Sequence, residues 1–366
     1  MNLYGYDWPQ GGTKQIAYVN GQSHMMELFV GFGDLWQSAD LTVLTGAPPP
    51  DGSAFAGYAW STGGTKQVAY RDQKSHIIEL FVARDSPWQW VDLTVLTGAP
   101  APGDSALAGY AWSAGGTKQV AYVDDQGHVI ELFVARDSPW QWVDLTALTG
   151  APPPGGPALA GYDWPNGQTK QVAYVDDQGH VIELFVARDS PWQWVDLTTL
   201  TGAPPPGDSA FAGYAWSAGG TKQVVYRDQK SHIIELIVAD GSPWRWVDLT
   251  ALTGAPPPGG PALAGYDWPN GQTKQVAYVD DQGHVIELFV ARGSPWQWVD
   301  LTALTGAPLL HQKPLTGYAW VWGATKQVAY VDDHGHMIEL HVGLSDQWRC
   351  SILTAFKRHE APGKPG

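Results

Sequence analysis

With a single cysteine, Cys350, the sequence excludes an intrachain disulfide and any cysteine cluster able to hold a metal. Basic residues are scarce as well. The 21 Lys and Arg stand against 36 Asp and Glu, for a formal net charge of −15. Sequence-independent binding to phosphates needs clustered cations, so this balance argues against a nucleic-acid partner and against attraction to anionic lipid. No apolar run approaches the roughly 20 residues that span a bilayer, so no membrane insertion is expected. The first residues, Met1 to Trp8, lack a basic stretch followed by an apolar one, and no cleavable export signal is visible. The chain is therefore expected in the cytoplasm, or outside the cell by a non-classical route. Also missing are a P-loop, a dinucleotide fingerprint, a nucleophile elbow and a zinc-protease motif. No cofactor and no metal are expected.

What the sequence has is repetition. Thr-Lys-Gln recurs at Thr13, Thr65, Thr117, Thr169, Thr221, Thr273 and Thr325, always 52 residues apart. In the third unit four segments read as strands, being rich in β-branched and aromatic residues or alternating apolar with polar. They are Leu107 to Trp112, Thr117 to Val123, His128 to Val134 and Trp140 to Thr146. Between them lie Gly115-Gly116, Asp124 to Gly127 and Asp137-Ser138-Pro139, short turns that demand antiparallel neighbours. A longer link, Leu148 to Pro157, carries the chain onward, and its prolines are expected to stay outside the sheet.

Both faces of the third strand are apolar. His128, Ile130, Leu132 and Val134 share one, while Val129 and Phe133 flank Glu131 on the other. A small sheet with two such faces needs a neighbour on each side, and radial stacking supplies both. The expectation is all-β: one seven-bladed β-propeller over 1–356, four antiparallel strands per blade, followed by a flexible tail at 357–366. The blades are placed at about 3–52, 53–104, 105–156, 157–208, 209–260, 261–312 and 313–356. Closure has two possible forms: each blade complete in register, or an N-terminal strand completing the last blade. The end units diverge most, with Ser38 and Cys350 standing where the third has Trp142, as suits units that meet at a seam.

Glutamate is almost confined to one mid-strand position: Glu27, Glu79, Glu131, Glu183, Glu235, Glu287 and Glu339, with Glu360 the sole extra. A carboxylate there is costly unless paired, and the motif lysines Lys14, Lys66, Lys118, Lys170, Lys222, Lys274 and Lys326 are the candidate partners, from the adjacent strand. One reading is a latch that fixes each blade; the other is a carboxylate that accepts hydrogen bonds from ligand hydroxyls. The first-strand tryptophans, Trp8, Trp60, Trp112, Trp164, Trp216, Trp268 and Trp320, read as core. A second set opens the fourth strand near a sheet rim: Trp36, Trp88, Trp140, Trp192, Trp244, Trp296 and Trp348. There an indole can stack on the apolar face of a sugar ring.

His128 and Glu131 point to opposite faces of a strand, which excludes joint grip on one ion, so the histidine is expected to bond a turn. Asp144 is expected to brace the loop that follows it. Residues that break the sevenfold pattern, and so are the candidates for one asymmetric catalytic site, are His311, Lys313, Trp322, His334, His341 and Cys350.

The unit resembles the fucose-binding propeller lectins of fungi and soil bacteria, the Aleuria-type group, through Trp112, Gly115, Tyr122, Gly127, Glu131 and Trp140 in that order. The resemblance implies a sugar held between neighbouring blades by an Arg two residues before the Tyr, by the Glu and by an aromatic. The Glu maps to Glu131 and its equivalents, and the aromatic to Trp140. Val120 takes the place of the Arg, with Lys118 a partial substitute on the same strand face, because an ammonium lacks the planar fork of a guanidinium. That group is usually six-bladed, a second departure. The expected function is non-enzymatic, multivalent binding of glycans or glycoconjugates between blades. The alternatives are a protein-interaction scaffold presenting its acidic turns, and an enzyme with one site in the central channel. Oligomeric state is left open.

Overall fold

The computed structural model describes residues 3–311 and 314–354. Seven four-stranded antiparallel sheets follow one another, each with its strands in chain order. In the third blade they are Pro102–Trp112, Thr117–Asp124, Val129–Ala135 and Gln141–Asp144. The first strands of successive blades are neighbours, and that of blade 1, Leu3–Trp8, neighbours that of blade 7, Leu315–Trp320, so the array is a closed ring with the first strand innermost. Among the described residues every blade is complete from its own unit, and no strand is shared across the seam. The expected seven-bladed propeller is what the chain forms.

The two apolar faces meet as anticipated. Tyr58, Ala69, Ile77 and Leu93 of blade 2 form one cluster with Leu107, Val120, Tyr122, Ile130 and Leu132 of blade 3. The seam is built alike, with Leu3, Ile16, Tyr18 and Leu28 packed on Tyr318, Ala329, Val331 and Met337. Inner strands approach so closely that only glycine fits opposite the tyrosine ring: a Cβ on Gly109 would lie 2.5 Å from Tyr58 Cδ1.

Three details depart from expectation. The fourth strand stops at Asp144, and Leu145–Thr149 is a short α-helix instead of strand and open link. Asp144 is its N-cap, accepting from Ala147 N at 2.8 Å, and Gly150 ends it with a left-handed φ of 71°. Asp144 thus braces the loop by capping. In blade 7, Ile352 stands in that position and the strand runs on to Thr354. Second, Pro154 lies inside a strand, paired with Asp176, because it is the first residue and a register break separates it from Leu159. Third, in blades 1, 2, 4, 5 and 6 the histidine ring bonds beyond its own turn, whereas His336 in blade 7 bonds Asp332 of its turn as expected. His24 Nδ1 lies 2.7 Å from Asp40 Oδ2, so the ring ties the second turn of the blade to the helix cap, while its backbone pairs with Asn20.

The cap yields a prediction. Asp144→Ala removes one of six such caps and is expected to cost about 1 kcal/mol in chemical denaturation, the usual value of an N-cap. A loss below about 0.3 kcal/mol would show that the helix is held by Leu145 burial alone. The tail at 357–366 lies outside the described residues.

Candidate functional site: the clefts between blades

Strand register decides which residues meet. Lys118 and Glu131 project from opposite faces of blade 3, since Lys118 pairs with Val134 and Glu131 with Ala121. The expected latch within a blade therefore does not form. Lys118 instead reaches the preceding blade, where its Nζ lies 2.6 Å from Glu79 Oε2. The same bond, at 2.5–2.6 Å, occurs at all seven interfaces, and Lys14 with Glu339 makes it across the seam. A third group was not foreseen. The inner-strand tyrosine of the glutamate's own blade donates to the carboxylate, as Tyr58 does to Glu79 at 2.8 Å and Tyr110 to Glu131 at 2.5 Å. Its signal was present in the sequence, as a tyrosine two residues before every first-strand tryptophan.

These triads are deeply buried: Glu79 is 1% exposed and Lys118 5%. Burial, then the adjacent carboxylate, holds the tyrosine hydroxyls well above their ordinary range. Burial likewise lowers the ammonium pKa of Lys14, Lys66 and Lys274, against the pull of their glutamates. Aromatic rings fence each ammonium. Lys118 Nζ stands 5.6 Å from the Trp60 ring, 5.5 Å from Phe81 and 5.1 Å from Trp140, within cation–π range.

Between blades 2 and 3 this arrangement borders a cavity of about 390 Å³, lined by Trp60, Thr65, Glu79, Phe81, Lys118 and Trp140, with Arg136, Asp137 and Ser138 at its rim. The structure thus gathers all three candidate residue types, Glu, Lys and rim Trp, into one cleft. The first-strand tryptophans are its inner wall as well as core. Trp140 is half-buried, its indole partly open at the mouth. In the clefts other than this one, the inner-strand indole N–H finds no acceptor, as at Trp112 and Trp164, whereas Trp60 Nε1 donates to Gly116 O at 3.3 Å. Val120, in the place of the expected arginine, is fully buried in the interface cluster and offers no polar contact.

The pattern-breaking residues do not assemble. His311 bonds Asp333 at 2.7 Å, His334 stacks on His336, Trp322 is exposed, Cys350 is half-buried on the outermost strand, and Lys313 lies outside the described residues. His341 alone belongs to a cleft, that of the seam, beside Glu339. The central channel holds a cavity of about 240 Å³ walled by Leu, Ala, Gly and Phe with Tyr4 and Thr316, and among the described residues no carboxylate, imidazole or ammonium lines it. Among the described residues no group of His, Cys, Asp and Glu is placed to hold a metal.

The class these observations define is a seven-bladed propeller with a repeated, partly aromatic cleft at each blade interface. Solved structures share that architecture. A lectin, BP39L, from Burkholderia pseudomallei matches with a TM-score of 0.71 at 16% identity, over 94% of this chain and 96% of that one. AofleA from Arthrobotrys oligospora matches with 0.58 at 10% identity, over 96% and 86%. The six-bladed, fucose-recognising lectin of Aleuria aurantia matches with 0.52 at 10% identity, over 97% and 96%. At such identities the likeness is one of fold. No family model and no curated protein matches the sequence.

Proposed function

We propose that this propeller is a non-enzymatic, multivalent carbohydrate-binding protein whose sites are the clefts between blades. The observation that carries the reading is the cavity between blades 2 and 3. Its volume suits a small ligand, an indole stands at its mouth, and its polar floor is fixed in advance by the Tyr58–Glu79–Lys118 chain. A floor of this kind presents the ammonium N–H groups not spent on glutamate, and the second lone pairs of the carboxylate, to sugar hydroxyls without reorganisation. The solved propellers of like fold include lectins, one of them in complex with α-methyl-L-fucoside. Fucosylated glycans are therefore the first ligands to try, and Val120 in place of arginine points to a weaker single site than a guanidinium would give. Seven repeats offset this on a surface dense in glycans, since linked sites gain about 10²–10⁴ in avidity.

The test is a glycan array followed by calorimetry on the strongest binder. Replacing Trp140 and its six equivalents by Ala is expected to weaken binding about tenfold per site, the worth of one aromatic stack, with the fold retained by circular dichroism. Absence of any glycan signal from the unaltered protein would refute the reading.

A second reading rests on the opposite end of the blades. There exposed Asp125, Asp177, Asp281 and Asp333 accompany leucines such as Leu96 and Leu148 that protrude from the short helices. These suit a basic, apolar protein segment. Capture of a protein that salt displaces and free sugars do not would favour it.

A further inference from the structure

The floors of the seven clefts repeat, but their rims do not. Apart from the seam, the cleft between blades 5 and 6 departs furthest. In five blades a glutamine opens the outer strand: Gln37, Gln89, Gln141, Gln193 and Gln297. Blades 5 and 7 have arginine there: Arg349 lies opposite His341, while Arg245 lies directly opposite Ile237, which replaces the aromatic ring of Phe81 and its equivalents. Arg245 is exposed, yet near enough to Lys274 for its charge to act, after burial, in the lowering of that ammonium's pKa.

The other lip is unusual too. Arg84, Arg136 and Arg188 each have an aspartate next in sequence, with Nε 3.8 Å from its carboxylate. Arg292, the equivalent on the blade-6 side, is followed by Gly293 and lacks that neighbour. Glu235 and Asp267 are the carboxylates of this cleft, and Lys274, Arg245 and Arg292 its cations. Burial raises the pKa of Asp267, which lessens its charge in mild acid. At the seam Lys14 and Arg349 are matched by Glu339 and Asp7, so among the described residues the cleft between blades 5 and 6 is the one in which cations outnumber carboxylates.

Building on the carbohydrate-binding reading, we infer that the cleft between blades 5 and 6 is specific for acidic saccharides, those carrying a carboxylate or sulfate, with Arg245 and Arg292 as the specificity-determining residues. The two guanidiniums flank the mouth from opposite blades, and each can meet an anionic oxygen pair with a forked, charge-assisted hydrogen bond. The buried floor keeps the same three residues, Tyr214, Glu235 and Lys274, with both partners on Glu235 Oε1, the lysine at 2.6 Å and the tyrosine at 3.4 Å. One cleft in seven would then discriminate charge while the rest take neutral sugars.

The experiment is an array pairing neutral glycans with their uronate, sialylated or sulfated counterparts, probed with the unaltered protein, Arg245→Gln and Arg292→Leu. Glutamine stands at the first position in five sister blades and leucine, as Leu344, at the second in blade 7, so both variants are expected to fold, which circular dichroism would verify. Signals from acidic glycans are expected to fall at least tenfold in each variant and in 0.5 M NaCl, with neutral signals unchanged. Calorimetry with the strongest acidic binder is expected to give one site per chain, lost in either variant. Acidic signals that survive both substitutions, or that never exceed their neutral counterparts, overturn the inference while leaving neutral binding intact. An array dark for every glycan would instead sink the carbohydrate reading itself.

Discussion

Replacing Lys14 by methionine is expected to destabilise the propeller by about 3–5 kcal/mol, the usual cost of removing one partner from a buried ion pair. The substitution keeps the length of the side chain and its contacts with Trp36 and Trp320, which stand 5.1 and 5.6 Å from the ammonium. What it removes is the 2.6 Å bond to Glu339. That carboxylate, 1% exposed, is then left with Tyr318 at 3.0 Å and a distant His341. The seam makes the effect large. Blades 1 and 7 are joined neither by a link nor by a shared strand, so apolar contact, Gly5 N on Thr316 Oγ1, Val321 N on Asp7 and this ion pair close the ring. Denaturant unfolding of Lys14→Met, Glu339→Gln and the double variant would check it. The double is expected to recover most of the loss, because the penalty comes from a stranded charge and not from the missing bond. A single-variant cost below about 1 kcal/mol would mean that the pair contributes little to closure.

Much of this was legible in the sequence, for a physical reason. A perfect 52-residue period and a third strand apolar on both faces leave few ways to bury the surface, so seven blades followed from counting Thr-Lys-Gln. The residues of the cleft were legible by type, since Glu131, Lys118 and Trp140 each recur in every unit. Their grouping was not. Whether Lys118 meets Glu131 or Glu79 depends on which strand face each occupies and which blade lies against it, and a repeat looks the same either way. The helix at Leu145–Thr149 escaped for another reason: five residues show no helical period, and its real markers are the capping Asp144 and the left-handed Gly150 at its two ends. Tyr110 was passed over because a tyrosine among apolar residues reads as packing, although its hydroxyl is the third member of the buried chain.

Stability should fall as pH rises from about 4 to about 6, and Asp7 is the group expected to contribute most. Blades 1, 4 and 6 carry Asp7, Asp163 and Asp267 where the others have Ala59, Ala111, Ala215 and Ala319. Each aspartate accepts a 3.1 Å hydrogen bond from the preceding blade, from Val321, Ser113 and Ser217 respectively. The other carboxylate oxygen of each is buried with no partner, and the neighbouring lysine is spent on glutamate. Burial therefore outweighs the hydrogen bonds. It pushes the Asp7 carboxyl from 3.8 up to about 6, and raises Asp163 and Asp267 as well. A raised acid binds more protons folded than unfolded between those two values, so this contribution favours folding fully below about pH 4 and is lost as pH passes 6. Two pH units correspond to about 3 kcal/mol, and partial exposure of Asp7 brings the expected effect nearer 2. Comparison with Asp7→Ala cancels the titration of every other group. The variant should gain about 2 kcal/mol relative to the unaltered protein between pH 4 and pH 7.5, and Asp7→Asn should gain similarly, since an amide keeps the neutral shape. A gap between wild type and variant that stays constant to within about 0.5 kcal/mol across that range would show that Asp7 is solvated in the folded state and titrates as an ordinary carboxylate.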